Sequence, residues 1–209
     1  MRIIVFSWEY PPRVVGQLAD FVKLLVGDLV KKNVETYVVT YHGYLAGRHQ
    51  DADGVKTIRI TNPVHTHIGV LTWVLTLNQE IERAAADVYY SNDKQVDLIN
   101  AFDWHFIPAA VTLKKGLGLP FVYMVESLED HRSHGLDLPF NMAIKSIEWL
   151  GMFEAQKLLV KSEWMRDEIV KLHRVPIGKI EVISPNSPYL ADHFLEVFRS
   201  VAEEVKPPA

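Results

Sequence analysis

Short runs that are largely apolar on both faces recur along the chain, at Ile3 to Phe6, Tyr37 to Thr40, Ile58 to Ile60, Val96 to Ala101, Phe121 to Val125, Leu158 to Val160 and Ile180 to Ile183. A strand with apolar side chains on both faces must be covered on both, which is the situation inside a buried parallel sheet. The runs are followed by stretches of helical period. Leu18, Phe21, Val22, Leu25 and Leu29 step by three and four, as one face of a helix requires. The same spacing appears at Leu71, Val74, Leu75, Ile81 and Ala85, at Ile107, Ala110 and Val111, at Phe140, Ala143, Ile144 and Ile147, and at Met165, Ile169 and Leu172. This alternation predicts an α/β fold, an open, doubly wound, mostly parallel sheet of about seven strands with helices on both faces, Rossmann-like, binding its ligands at the carboxyl ends of the strands. Residues 41–54 and 128–138 read as long mobile loops, and no internal repeat is visible. The tail carries one more amphipathic pattern. Leu190, Phe194, Val197, Phe198, Val201 and Val205 share a face, with Asp192, Glu196, Arg199, Ser200, Glu203 and Glu204 between them, and such a face needs a surface to cover it.

Composition narrows the chemistry. With 209 residues, 48% of them apolar and 23% charged, the chain fits one ordinary soluble domain. A net charge of -4 and a pI near 6.1 provide no basic footprint, so nucleic acid and anionic membranes are not expected partners. The absence of cysteine removes disulfides, thiolate metal sites and thiol nucleophiles together. The apolar start, Met1 to Phe6, is too short for a signal-peptide core, and no run reaches the roughly 18–20 apolar residues of a membrane span, so a cytoplasmic location is expected. His65 with His67 and His131 with His134 match no zinc spacing and read as exposed side chains; neither a metal nor a cofactor is expected. Trp73, Trp104, Trp149 and Trp164 lie on helical stretches, where packing is the default role. Only Trp104, beside Asp103, is a candidate sugar platform.

The first loop, Trp8 to Leu18, leaves a strand and opens a helix, a place where free backbone amides can receive an anion with Arg13 in reach. Gly16 stands alone, so the Gly-x-Gly-x-x-Gly dinucleotide fingerprint is absent and a nicotinamide enzyme is not supported. Gly16 can equally be a turn glycine that permits unusual backbone angles.

Four stretches, in order and in register over residues 1 to 183, carry a family resemblance. Glu9-Tyr10-Pro11-Pro12 through Gly16-Gln17-Leu18-Ala19-Asp20 resembles the opening of bacterial and archaeal glycogen synthases and their retaining glycosyltransferase relatives. Asp97 to Ala101 followed by Phe102-Asp103-Trp104-His105 is similar to that family's segment ending in Asp-Trp-His. Pro120 to Ser127 is similar to its strand with a His at the carboxyl end, and Ser162 to Ile169 to the start of the helix before its crossover. The resemblance implies the amino-terminal, acceptor-side domain of a two-domain GT-B enzyme. In such an enzyme a second domain holds the sugar nucleotide and supplies an acidic pair near a Gly-rich turn. No such turn is present, and Glu196 with Glu204 matches that pair by coincidence. The resemblance also implies that the tail is a closing helix. Residues 1–183 then form the Rossmann-like domain, and residues 184–209 a turn and a helix packed back on it, as after an internal deletion.

The departures from the family pattern lie at the site. Gln17 stands at the second Gly, where a side chain would crowd a phosphate; Glu126 stands at the His, exchanging a donor for an acceptor; Asn100 and Phe102 stand where many relatives carry His. With Glu129 and Asp130 nearby, the loop reads as acidic. Two like charges about 5 Å apart at an effective dielectric of about 20 repel by roughly 3 kcal/mol, about a hundredfold in affinity. Alternatively, Glu126 is a new acid or base. Arg13, Gly16, Gln17, Asp103, Trp104, His105 and Glu126 are thus the candidate substrate-binding residues, none of them with an assigned catalytic role. Three readings stay open. One is an inactive acceptor-side module that binds a glucan, a sugar or a protein. Another is half of a glucosyltransferase using ADP-glucose or UDP-glucose, completed by a separate nucleotide-binding chain. The third is an assembly module acting as a homodimer.

Overall fold

A computed structural model describes residues 1–66 and 69–205; His67 and the side chain of Val205, both named above, lie outside the described residues. In chain order the elements are β1 (Arg2–Ser7), α1 (Leu18–Lys31), β2 (Glu35–Tyr41), β3 (Gly47–Gln50), β4 (Lys56–Ile60), α2 (Val70–Ser91), β5 (Leu98–Phe102), α3 (Ile107–Leu117), β6 (Phe121–Met124), α4 (Glu129–Arg132), α5 (Pro139–Glu154), β7 (Lys157–Val160), α6 (Glu163–His173), β8 (Ile180–Val182) and α7 (Leu190–Val205). A single 3-10 turn, Trp104–Phe106, follows β5.

The strands form one sheet in the order β3-β4-β2-β1-β5-β6-β7-β8, parallel throughout except at the β3 edge. The apolar runs explain the layering. On β1, Ile4 and Phe6 point into the core under α2, α3 and α5, while Ile3 and Val5 point into the core under α1 and α7, and all four are fully buried. Local signals set the helix ends. Pro108 sits in the first turn of α3, which stops at Gly118 with φ 71°. Ser162 accepts a hydrogen bond from the Met165 amide at 3.1 Å and caps α6.

The sheet has eight strands rather than about seven. The extra one, β3, lies within residues 41–54 and pairs antiparallel with β4, Gly47 opposite Arg59 through Gln50 opposite Lys56. All four of its residues are exposed, so no hydrophobic alternation marks it; the tight turn at Asp51 and Gly54 brings it back along β4. The second segment read as a loop holds the single helical turn α4.

Helix α7 lies against α1, β5 and β6. Phe194, Val197, Phe198 and Val201 are buried there, with Phe194 stacked 6.5 Å from Phe102, and Lys32 pairs with Asp192 at 2.7 Å. Two tryptophans depart from the packing role: Trp149 on α5 and Trp164 on α6 stand 48% and 58% exposed.

Candidate functional site

β1 and β5 are neighbours, but the chain leaves them for opposite halves of the sheet, through α1 on one face and α3 on the other. Such a reversal opens a crevice at the carboxyl ends of the two strands. Three loops meet there, after β1, β5 and β6.

In the first loop, Ser7 Oγ donates to the Glu9 carbonyl at 2.6 Å. Glu9 is buried, and its carboxylate accepts the amides of Val15 and Gly16 at 2.5 and 2.6 Å. The amides that the sequence offers to an incoming anion therefore already hold one supplied by the chain. Gly16 is not among the glycines with positive φ, and a Cβ there would meet Glu9 Oε1 at an ordinary 3.4 Å. Gln17 is exposed at the start of α1 and makes no side-chain cap. Arg13 makes its hydrogen bond elsewhere, although its charge is felt by Glu9. Its Nη1 donates to the Trp8 carbonyl at 2.7 Å, and its guanidinium lies 4.2 Å from the Trp8 ring and 5.1 Å from that of Tyr41. Burial lowers its pKa from the usual arginine value.

In the second loop, Asp103 adopts φ 61° and ψ 178°, a conformation close to glycine's own territory. Its amide continues the β5–β6 ladder by donating to the Met124 carbonyl at 2.9 Å, so the strain sits in a held backbone. One carboxylate oxygen lies 3.3 Å from His105 Nδ1 without a hydrogen-bonding angle, and the other is buried with no partner. The His105 ring is sandwiched between Trp8 at 4.7 Å and Trp104 at 4.5 Å. Asn78 on α2 anchors the same turn, donating to the His105 carbonyl at 2.8 Å. Trp104 is only 4% exposed, so it supports the imidazole from beneath and is no platform. Two other aromatics at the crevice, Trp8 and Tyr41, are partly exposed and stack on each other at 6.3 Å. Sequence reasoning passed over both. Their signal was position, since each is the first or last residue at the mouth of a core strand.

In the third loop, Glu126 pairs with Lys161 at 2.6 Å. Its other oxygen is buried and unpartnered, and desolvation raises its pKa against the pull of Lys161, with the charges of Asp103 and Glu9 adding to the rise. The loop is not the open acidic patch that composition suggests. Glu129 pairs with Arg132 at 3.0 Å and accepts from Asn141 at 2.7 Å, and Asp130 pairs with Lys145 at 2.8 Å, so these charges are answered within the chain. Arg132 also reaches Glu148 at 2.6 Å. Glu148 is fully buried on α5 and accepts the Glu129 amide through both oxygens at 3.0 Å; burial, more than these partners, sets its pKa, raised to about 7. A carboxylate on the apolar face of α5, midway between Ile144 and Met152, was the available sign of this network.

The crevice thus gathers Arg13, Asp103, His105 and Glu126 of the sequence candidates, with Gly16 and Gln17 at its rim and Trp104 beneath it. A cavity of about 490 Å³ lies at the opposite, amino-terminal edge of the sheet, where Arg2 pairs with Glu35 at 2.6 Å and Asp97 accepts the Arg2 amide at 2.7 Å, with Lys94 also on its wall. Among the described residues no three His, Asp or Glu side chains come together as a metal site, and no helix is long and apolar enough to cross a membrane.

Residues 19–185 match the family model described as Glycosyltransferase Family 4. An uncharacterized glycosyltransferase of Methanocaldococcus jannaschii is 32% identical over 185 residues, covering 88% of this chain and 45% of that protein. The glycogen synthase of Mycobacterium tuberculosis is 27% identical over 197 residues, covering 88% of this chain and 47% of that one. The chain spans about half the length of these relatives. Among solved structures, a chain of sucrose-phosphate synthase from Thermosynechococcus elongatus superimposes with a TM-score of 0.68 at 13% identity, covering 99% of this chain and 100% of that one, a likeness of GT-B fold.

Proposed function

The chain belongs to Glycosyltransferase Family 4, and on that premise we propose that the crevice after β1, β5 and β6 is the acceptor side of a glycosyl transfer, binding a sugar or glucan, and that these 209 residues do not carry out the transfer unaided. The observation that carries this reading is Asp103, strained, buried and with one carboxylate oxygen unpaired, beside the clamped imidazole of His105. Strain of this kind persists only where the surroundings hold it, and it clusters at binding and catalytic sites. A sugar presents an apolar C–H face and a rim of hydroxyls. The phenol of Tyr41 and the free edge of the Trp8 indole, whose faces carry His105 and Arg13, suit the first, and Asp103 and His105 suit the second.

Two features favour the absence of independent transfer. Glu9 occupies the amides that a donor phosphate would otherwise take, and Glu126 is held by Lys161. The binding energy of a nucleotide donor, and the stabilisation of charge in the transition state, would then come from a second domain in another stretch of polypeptide. Val14 and Val15, 55% and 64% exposed at the rim, are suited to meeting that domain, whether ADP-glucose or UDP-glucose is the donor.

Calorimetric titration with maltooligosaccharides, ADP-glucose and UDP-glucose, run beside a transfer assay to glycogen, tests the reading. Saccharide binding weakened by His105→Ala or Trp8→Ala, without transfer above background, is the expected result. Transfer that disappears on Asp103→Asn would contradict the claim of inactivity, and saccharide binding indifferent to His105 would contradict the site.

A further inference from the structure

On the far side of α4 from the crevice, α4, α5 and α6 flank an open surface hollow of about 350 Å³. Its walls combine Met142, Trp149 and Leu172 with Asp130, Lys145 and His173. We propose that this hollow is a second saccharide site, taking a neutral glycosyl unit independently of the crevice. Its volume falls within the roughly 300–1,000 Å³ typical of small-molecule pockets.

Three observations point to that class of ligand. Trp149 lies on a helix with a well-buried face, yet its indole stays on the wet side, held parallel to Phe153 at 5.3 Å and 13°. An aromatic surface kept stiff and open is suited to the C–H face of a sugar ring. The His173 side chain is only 7% exposed, and its Nε2 has no hydrogen-bond partner; Asp130 Oδ2 stands 3.9 Å away, too far to bond directly. Nε2 is itself closed to solvent, so a hydroxyl bridging the two accepts from the imidazole and donates to the carboxylate once the His173 ring turns toward the hollow. The charge balance then selects against an anion. Lys145 is already shared between Asp130 at 2.8 Å and Asp137 at 2.7 Å, which leaves two carboxylates against one ammonium, and burial favours the neutral imidazole. A phosphate would find no free cation here, whereas a neutral polyol would find acceptors, a donor and an apolar platform.

Helix α4 is the partition between the two sites. Asp130 faces this hollow, whereas Arg132 faces Glu148 and lies 5.9 Å from the Trp104 ring. The sites can therefore be separated by substitution. The full chain is titrated with maltopentaose by calorimetry, with tryptophan fluorescence in parallel. Trp149→Ala and His173→Ala should each weaken one binding event by about tenfold or more, Trp149→Tyr should restore most of it, and Trp8→Ala should leave it intact. Because Trp149 is half-exposed, its variants should melt with the wild type. Unchanged affinity in Trp149→Ala overturns the proposal, as does the loss of all binding in Trp8→Ala, which would place the saccharide in the crevice alone. Absence of any binding to the wild type at millimolar maltopentaose overturns it too, and so does sedimentation showing a dimer that Trp149→Ala dissociates.

Discussion

Asp103 holds a backbone conformation that a glycine would occupy without strain, and it does so with one carboxylate oxygen buried and unpaired. Both features cost stability, on the order of 1–3 kcal/mol for the backbone alone. Asp103→Gly should therefore raise the melting temperature, by about 1–2 kcal/mol in stability, while weakening saccharide binding; a variant that melts below the wild type would argue against stored strain. Glu148 supplies a pH signature. Its folded-state pKa is raised from 4.5 to about 7, mainly by burial, so between those values the folded state binds more protons than the unfolded one and stability falls as pH rises. The stability of Glu148→Gln relative to the wild type should accordingly grow from about pH 4.5 to 7, by on the order of 3 kcal/mol. Melting curves for both proteins that stay parallel across that window would contradict it. Much of the crevice was legible at this scale because Asp103, His105 and Glu126 follow directly on apolar runs, at strand ends where ligands bind. Lys161, Arg132 and Glu148 were not, because their importance lies in pairings across the fold, 35 residues apart in the case of Lys161 with Glu126.

Helix α7 shows what an amphipathic face can and cannot disclose. The spacing of Phe194, Val197, Phe198 and Val201 establishes that something covers them; it does not say that the cover is α1, β5 and β6. Phe198→Ala should cost about 3–5 kcal/mol, a large part of a total near 5–15, and truncation after Ser187 should cost more and lower solubility. Denaturant unfolding within experimental error of the wild type would mean that the helix is dispensable. At the α3–α5 contact, a Cβ on Gly151 would meet the side chain of Ile107 at 2.9 Å. Gly151→Ala should thus lose about 1–3 kcal/mol despite the better helix propensity of alanine, and a stabilised variant would show that α5 can shift outward. Strand β3 stayed hidden for the opposite reason. An exposed edge strand with no apolar pattern is specified by its turn and by backbone pairing to β4, neither of which leaves a periodic trace.

As a whole, the molecule is a three-layer α/β domain with Asp103, His105 and Glu126 collected at the carboxyl ends of its central strands. Alternating strands and helices were enough to place those strand ends before any side chain was located. The contents of the crevice needed the structure, which shows that the chain answers several of its own charges there: Glu9 on the loop amides, Lys161 on Glu126 and Arg132 on Glu148. On the proposed reading, such a site suits a neutral sugar better than a phosphate. The most direct measurement is an amide chemical-shift titration of the labelled chain with a maltooligosaccharide and, separately, with UDP-glucose. The account predicts that the saccharide perturbs the loops holding Trp8, Arg13, Asp103, His105 and Glu126, and that UDP-glucose perturbs them far more weakly. Perturbations centred on Arg2, Glu35 and Asp97 at the opposite edge, or a nucleotide response stronger than the saccharide's, would contradict it.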